Sequence, residues 1–286
     1  MPQGQIVAAY GRQLLVELAN GERIPCVTRG KKSGAACGDR VTIKLTSPNQ
    51  GVIEATAPRR SLLYRSDAFR EKLIAANVTQ IIVVVAAEPA FYEELINRCL
   101  IAAEAAEIKA LIVLNKCDMR DASDKAMQKL VLYRELGYPL LQLSAQQDIA
   151  PLRAFLENET SVLVGQSGMG KSSIVNALLP DVAARTQEIS QALNSGRHTT
   201  THAQLYHLDA ASHIIDSPGM QEFGLHHLIH DDIVHAFIEF RPHIGHCRFS
   251  NCKHLVEPGC AILEAAAAGT ISARRMDSYR RMVAQA

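Results

Sequence analysis

The run Gly165-Gln166-Ser167-Gly168-Met169-Gly170-Lys171-Ser172-Ser173 constrains this chain more than any other. It stands between an apolar stretch at residues 161–164 and a segment that reads as a helix from Lys171 until Pro180 stops it. A glycine-rich turn joining a buried strand to a helix N-terminus points backbone N–H groups at a phosphate chain. Gly168 and Gly170 allow the close backbone approach this needs. Lys171 is placed to reach the β- and γ-phosphates, and Ser172 offers a hydroxyl to Mg²⁺. The strand–helix alternation around it argues for a mostly parallel sheet covered by helices.

Two further runs say which nucleotide the loop takes. Asn115-Lys116-Cys117-Asp118 directly follows an apolar strand, at the strand end where open α/β sheets bind ligands. The Asp118 carboxylate can accept from the N1–H and 2-amino group of guanine, and adenine presents neither donor. Lys116 can lie along the base plane, and Asn115 can brace the phosphate loop. Ser144-Ala145, again after a strand, suits a backbone N–H to the guanine oxygen. Asp216-Ser217-Pro218-Gly219 suits a water-bridged Mg²⁺ contact from Asp216 and a γ-phosphate contact from the Gly219 N–H.

The order of these runs departs from that of Ras-type GTPases, where the phosphate loop comes first. Here the base-reading run comes first and Asp216–Gly219 comes last, so the chain reads as a circular permutation. Domain termini commonly lie close together, which lets such a rearrangement preserve a fold. Between phosphate loop and Asp216 lies Gly196-Arg197-His198-Thr199-Thr200-Thr201. A threonine hydroxyl there would complete the Mg²⁺ shell; Thr200 is preferred, with Thr199 and Thr201 open. Met220 occupies the place of the glutamine that orients the attacking water in Ras-type enzymes. His198 is the better candidate for that role than Gln221; the alternative is a solvent-exposed loop histidine.

Around this unit the pattern changes twice. Residues 5–10, 13–18, 23–28, 40–45 and 51–57 read as short strands punctuated by Gly, Asn, Ser and Pro. Five such strands suit a small closed barrel, an OB-fold or an SH3-like barrel. Strand–helix alternation then runs from about residue 70, with strands at 80–86, 110–114, 140–143, 161–164, 204–208 and 213–215. Helices are expected at 90–106, 125–136 and 152–156, besides the one after Lys171. Residues 226–286 read as helical and hold seven of the eleven histidines. There Cys247, Cys252, His254 and Cys260 make a compact set of three thiolates and one imidazole, matching a closed structural zinc site. His243 and His246 are adjacent alternatives to His254. A tail helix over 272–284 carries Arg274, Arg275, Arg280 and Arg281, read either as a phosphate-contacting face or as a solvated one.

Composition limits the remaining options. At 286 residues the chain has room for about two or three domains. It has no run of eighteen apolar residues, and Met1-Pro2-Gln3-Gly4-Gln5 lacks signal-peptide character, so a cytoplasmic protein without a membrane span is expected. Cys26, Cys37, Cys99 and Cys117 are scattered and read as free thiols. The net charge is +1, yet the first 60 residues hold nine basic residues against four acidic. That imbalance suits contact with a polyanion or simply a solvated surface.

These runs in this order resemble the RsgA (YjeQ) family, circularly permuted GTPases of small ribosomal subunit biogenesis. The resemblance extends to Arg60-Ser61-Leu62-Leu63-Tyr64-Arg65 and Ala75-Ala76-Asn77-Val78-Thr79-Gln80, to the His198 segment and to the Cys/His cluster. It implies an N-terminal OB-fold RNA-binding domain (1–60), a permuted GTPase domain (61–225) and a zinc-binding helical domain (226–286). It implies GTP hydrolysis stimulated by the 30S subunit and 16S rRNA contact through the outer domains, with one structural Zn²⁺ and Mg²⁺ bound with GTP; a monomer is expected. The chain starts almost at the barrel, without the long basic extension of some members, so anchoring by such a tail is not expected. In this order, a γ-phosphate that orders residues 216–219 would reorient the zinc domain behind them. A non-enzymatic RNA-binding protein tuned by GTP is the alternative, and a metabolic P-loop kinase is disfavoured by residues 115–118.

Overall fold

The structure, a computed structural model, describes residues 1–29, 34–67, 70–180, 202–219 and 223–285. Five strands form a barrel: β1 (Gln3–Tyr10), β2 (Gln13–Leu18), β3 (Arg23–Thr28), β4 (Arg40–Ser47) and β5 (Gln50–Thr56). They run in the order β1-β2-β3-β5-β4, and β4 closes back on β1. All pairs are antiparallel except β3 with β5. This is an OB-type barrel. Alternate residues face inward, so Ile6, Leu14, Val16, Ile24, Val41 and Ile43 fill its interior.

β1 serves two sheets. Its first half pairs with β4 at Gln3–Gln5, while Ala8 pairs with Gln204 of the central sheet. Between Ile6 and Ala8 its register with β2 shifts. Such a bulge bends a strand, which lets one edge of β1 close the barrel and then leave it.

The central sheet uses β8 (Gln80–Ala86), β9 (Lys109–Asn115), β10 (Leu140–Gln142), β11 (Thr160–Val164), β12 (Gln204–His207) and β13 (His213–Asp216), in the order β10-β9-β8-β11-β13-β12. Only β12 runs antiparallel. β8 is buried along its whole length, as a strand covered on both faces must be. Connecting helices are α1 (Glu93–Ala105), α2 (Arg120–Glu135), α3 (Ala150–Leu156) and α4 (Lys171–Leu178). The sequence reading did not anticipate the separate hairpin of β6 (Leu62–Asp67) and β7 (Arg70–Ala76). Its outer half, Arg65-Ser66-Asp67 against Arg70-Glu71-Lys72, has no apolar alternation to signal a strand.

The C-terminal region holds α5 (His230–Ala236), a 3-10 turn (Ile238–His243), α6 (Ala261–Ala267) and α7 (Ala273–Val283). Phe237, Phe240 and Tyr279 pack with centroids 4.8–5.5 Å apart. The arginines of α7 all have acidic partners, and Arg274, Arg280 and Arg281 remain on the surface. Arg275 is fully buried; it pairs with Glu239 at 2.5 Å, donates to Asn97 of α1 at 2.7 Å and lies over Phe237. Arg274 pairs with Glu93, Arg281 with Glu94 and Arg280 with Asp277. Among the described residues, no helix is long and apolar enough to cross a membrane.

Candidate functional site

The strands β8, β9, β10, β11 and β13 end on one edge of the sheet, and the loops after β9, β10, β11 and β13 carry the nucleotide-type runs. The phosphate loop spans β11 to α4. Gly165 sits tight against β8: a Cβ there would meet the Val84 carbonyl at 2.3 Å. Lys171 is buried, and its Nζ donates to the Gly165 and Gln166 carbonyls at 2.8 and 3.0 Å. Burial pushes its ammonium down to about 8, partly countered by the Asp216 charge. Gln166 accepts the Tyr92 N–H at 2.8 Å, which fastens the loop to the start of α1. Met169 is buried in the core, while Ser167 and Gly168 are exposed on the loop's outer side. Ser172 is half-buried and Ser173 exposed in the first turn of α4.

Asn115 links this loop to the two base-reading loops. It is almost fully buried; its Nδ2 donates to the Met169 carbonyl at 3.0 Å, and its Oδ1 accepts the Ala145 N–H at 3.0 Å. One amide therefore ties the ends of β9, β10 and β11 together. Gly170 has φ +92°, and a Cβ there would lie 2.2 Å from Asn115 Nδ2, so the cradle admits only glycine. Lys116 adopts φ 63°, unusual for a side-chain-bearing residue, and its Nζ donates to the Glu88 carbonyl at 2.8 Å. The Cys117 N–H donates to the Leu143 carbonyl at 3.1 Å, which leaves the neighbouring Asp118 exposed. Ser144 is buried at the turn that presents the Ala145 N–H. The Tyr92 and Glu88 contacts come from the loop after β8, a stretch with no motif to single it out.

Asp216 ends β13 and is buried. Gly219 packs on the phosphate loop, where an added Cβ would meet the Ser167 N at 3.0 Å. Ser217 is anchored by its Oγ on the Leu163 carbonyl. The structure thus brings together every phosphate-loop and base-loop residue named from the sequence, and Asp216 and Gly219 beside them. His198, Thr199, Thr200, Thr201, Met220 and Gln221 lie outside the described residues.

The second cluster is Cys247, Cys252, His254 and Cys260, whose ligand atoms all lie within 4.8 Å of one another. Cys247 Sγ is 3.8 Å from Cys260 Sγ and 3.5 Å from His254 Nδ1, and His254 Nδ1 is 3.3 Å from Cys260 Sγ. Zn–S bonds of about 2.3 Å imply tetrahedral edges of about 3.8 Å, slightly shorter where a nitrogen replaces a sulfur. These three edges fit that figure, and with Cys252 within 4.8 Å of the others the group could hold a metal ion. His243 and His246 are not in the set found among the described residues. Behind the cluster, the Tyr279 hydroxyl donates to the Lys253 carbonyl at 2.6 Å and bonds His230 at 3.0 Å, bracing the loop against α5 and α7.

Comparison with known proteins agrees with this layout. Residues 56–226 match the profile described as RsgA GTPase. A relative from Nitrosospira multiformis, described as small ribosomal subunit biogenesis GTPase RsgA, is 58% identical over 99% of this chain and 90% of its own length. One from Nitrosomonas europaea with the same description is 52% identical over 98% and 90%. Among solved structures, YjeQ from Thermotoga maritima matches at TM-score 0.71 and 30% identity, covering 99% of this chain and 98% of that one. YloQ, described as a circularly permuted GTPase, matches at TM-score 0.69 and 26% identity, over 100% and 94%.

Proposed function

The chain belongs to the RsgA GTPase family, and from that membership we propose that it binds the 30S subunit and hydrolyses GTP to GDP and phosphate during late small-subunit maturation. The observation that carries the proposal is the Asn115 link: one buried side chain ties the phosphate loop to both base-reading loops. In this reading Asp118 selects guanine, and the Ala145 N–H meets the guanine oxygen. The backbone of Gly165–Lys171 cradles the phosphates. Lys171 turns from the two loop carbonyls it now holds toward the β- and γ-phosphates, whose charge favours its protonated form. Ser172, Thr200 and Asp216 would hold Mg²⁺, which shields phosphate charge when bound. The Gly219 N–H serves the γ-phosphate, and His198 positions the attacking water.

The division into a barrel domain (1–60), a GTPase domain (61–225) and a helical domain (226–286) belongs to the same proposal. So does a structural zinc at Cys247, Cys252, His254 and Cys260, with no open position for chemistry. Contact with 16S rRNA through the outer domains, a monomeric state and a cytoplasmic location complete it. The test is multiple-turnover phosphate release with and without 30S subunits, alongside co-sedimentation under GTP, GDP and a non-hydrolysable analogue. Wild-type protein is expected to turn over faster with subunits, and His198→Ala to lose most of that stimulation, about 10²-fold. Co-sedimentation without any subunit-stimulated turnover would instead make the protein a nucleotide-tuned RNA binder.

A further inference from the structure

The barrel strand β1 is bonded into the sheet that carries Asp216. Gln204 of β12 pairs with Ala8 on one side and with Asp216 on the other. Three adjacent strands therefore hold the barrel and Asp216 in one register. The join is narrow: besides the Ala8–Gln204 pair, the Ala9 N–H donates to the Ala203 carbonyl at 3.2 Å. One residue further, the Tyr10 ring packs on the His202 ring, with centroids 4.3 Å apart and planes at 60°. His202 directly follows the threonine run 199–201 in the sequence. Burial holds its imidazole below the ordinary histidine value, which favours the neutral ring.

Two other fastenings hold the barrel to the rest of the chain. The far end of β12 is tied to the barrel by His207 on Glu17 at 2.6 Å. At the base of the barrel, the Ala76 N–H donates to the Cys37 carbonyl at 2.8 Å, and Asn77 Nδ2 to the Gly38 carbonyl at 3.1 Å. Tyr10 is 42% exposed, so it stands on the barrel surface while touching the GTPase sheet.

We infer that Tyr10 is a positioning residue for the GTPase site: its ring on His202 fixes the start of β12, so that RNA contact at the barrel is read at the Mg²⁺ shell. The inference rests on the proposed RNA contact at the barrel and the proposed assignment of Asp216 to Mg²⁺. It places the sensing surface on the barrel, although the loops that hold the nucleotide belong to the central sheet.

The test uses the full chain and the Mg²⁺ concentration at half-maximal effect. It is read both in GTP hydrolysis and in binding of a non-hydrolysable GTP analogue, with and without 30S subunits. Tyr10→Ala and His202→Ala are each expected to raise the midpoint about two- to tenfold, the range an aromatic pair supports. Tyr10→Phe keeps the ring and should keep the wild-type midpoint. The double variant should be no worse than either single, since both remove one contact. Subunits should lower the midpoint in wild type and fail to do so in Tyr10→Ala. Asp216→Ala separates the two levels. If it leaves the midpoint unchanged, the Mg²⁺ assignment itself is wrong. If it raises the midpoint while Tyr10→Ala does not, or if the Tyr10 and His202 effects simply add, the inference is wrong and the assignment stands. A lower melting temperature in Tyr10→Ala with an unchanged midpoint would likewise reduce Tyr10 to packing.

Discussion

Replacing Asn115 by alanine tests whether one side chain holds the nucleotide site together. The substitution removes two hydrogen bonds of 3.0 Å and leaves the Met169 carbonyl and the Ala145 N–H without their partner. Asn115 is 2% exposed, so water does not freely replace it. Each orphaned group costs about 1–3 kcal/mol, which sets a combined cost of about 2–6 kcal/mol. Ala145 is only partly buried, so the lower part of that range applies, about 2–4 kcal/mol. Met169 belongs to the phosphate loop and Ala145 to a base loop, and both loops must hold their shape to bind. The cost therefore falls on nucleotide affinity, about 30- to 1,000-fold, more than on global melting. Titration with a fluorescent guanine nucleotide measures it, and thermal melting without nucleotide is the control. Asn115→Asp keeps the acceptor for Ala145 but puts a carboxylate against the Met169 carbonyl, and should do no better than alanine. Affinity within threefold of wild type, in a protein that melts normally, would refute the bracing role.

Four other outcomes follow from the same geometry. Asp118→Asn should lose GTP affinity by about 2–4 kcal/mol and gain affinity for xanthosine triphosphate, measured by competition; unchanged GTP affinity removes the base-reading role. Cys252→Ser should release metal, measured by elemental analysis, and expose residues 226–286 to protease while GTP binding survives. Burial depresses Lys171 to about 8, below its unfolded value, and phosphate binding favours the charged form. GDP affinity should thus be flat below pH 8 and fall as pH rises above it, and the slope should vanish in Lys171→Met. By the same sign, the cost of burying this charge is fully present below pH 8 and relieved as pH rises toward the unfolded value. Arg275→Ala strands the buried Glu239 carboxylate and should cost about 3–5 kcal/mol in denaturant unfolding, without changing the salt dependence of RNA binding.

The parts of the fold legible in the sequence are those where one face or both are buried. Barrel strand β2 and central strand β8 appear with the bounds read from their apolar patterns. The hairpin β6–β7 escapes because the sequence of its outer half has no apolar residue to set a period. The nucleotide loops were legible because phosphate and guanine impose residue types at fixed spacing. The Tyr92–Gln166 bond was not, since a backbone donor leaves no trace in residue identity. The α7 arginines were ambiguous for a related reason. Charge alone does not separate a solvated guanidinium from one such as Arg275, which meets its partners 36 and 178 residues away in sequence.

The α7 ion pairs bear on how nucleotide state would reach the C-terminal region. The order of runs places residues 216–219 just before that domain, which suggests a switch that swings it. Yet the domain is held on α1, by Arg275 to Asn97 and by Arg274 and Arg281 to Glu93 and Glu94. Arg98 of α1 also donates to the Phe223 carbonyl, just beyond the switch, and bonds Gln285 in the C-terminal tail. A rigid-body swing would carry Glu239 along with Arg275 but break the buried Arg275–Asn97 bond, at about 1.5–3 kcal/mol for a bond to a charged group. A ligand shifts such an equilibrium only by its differential affinity for the two states, and about 5.5 kcal/mol is needed for a full reversal of populations. Movement of α1 together with the domain avoids that cost. The phosphate loop has a direct hold on α1, because Gln166 accepts the Tyr92 N–H where the helix begins. The economical route from nucleotide to C-terminal domain therefore runs from Gln166 through α1, with Arg98 coupling it to the end of the switch.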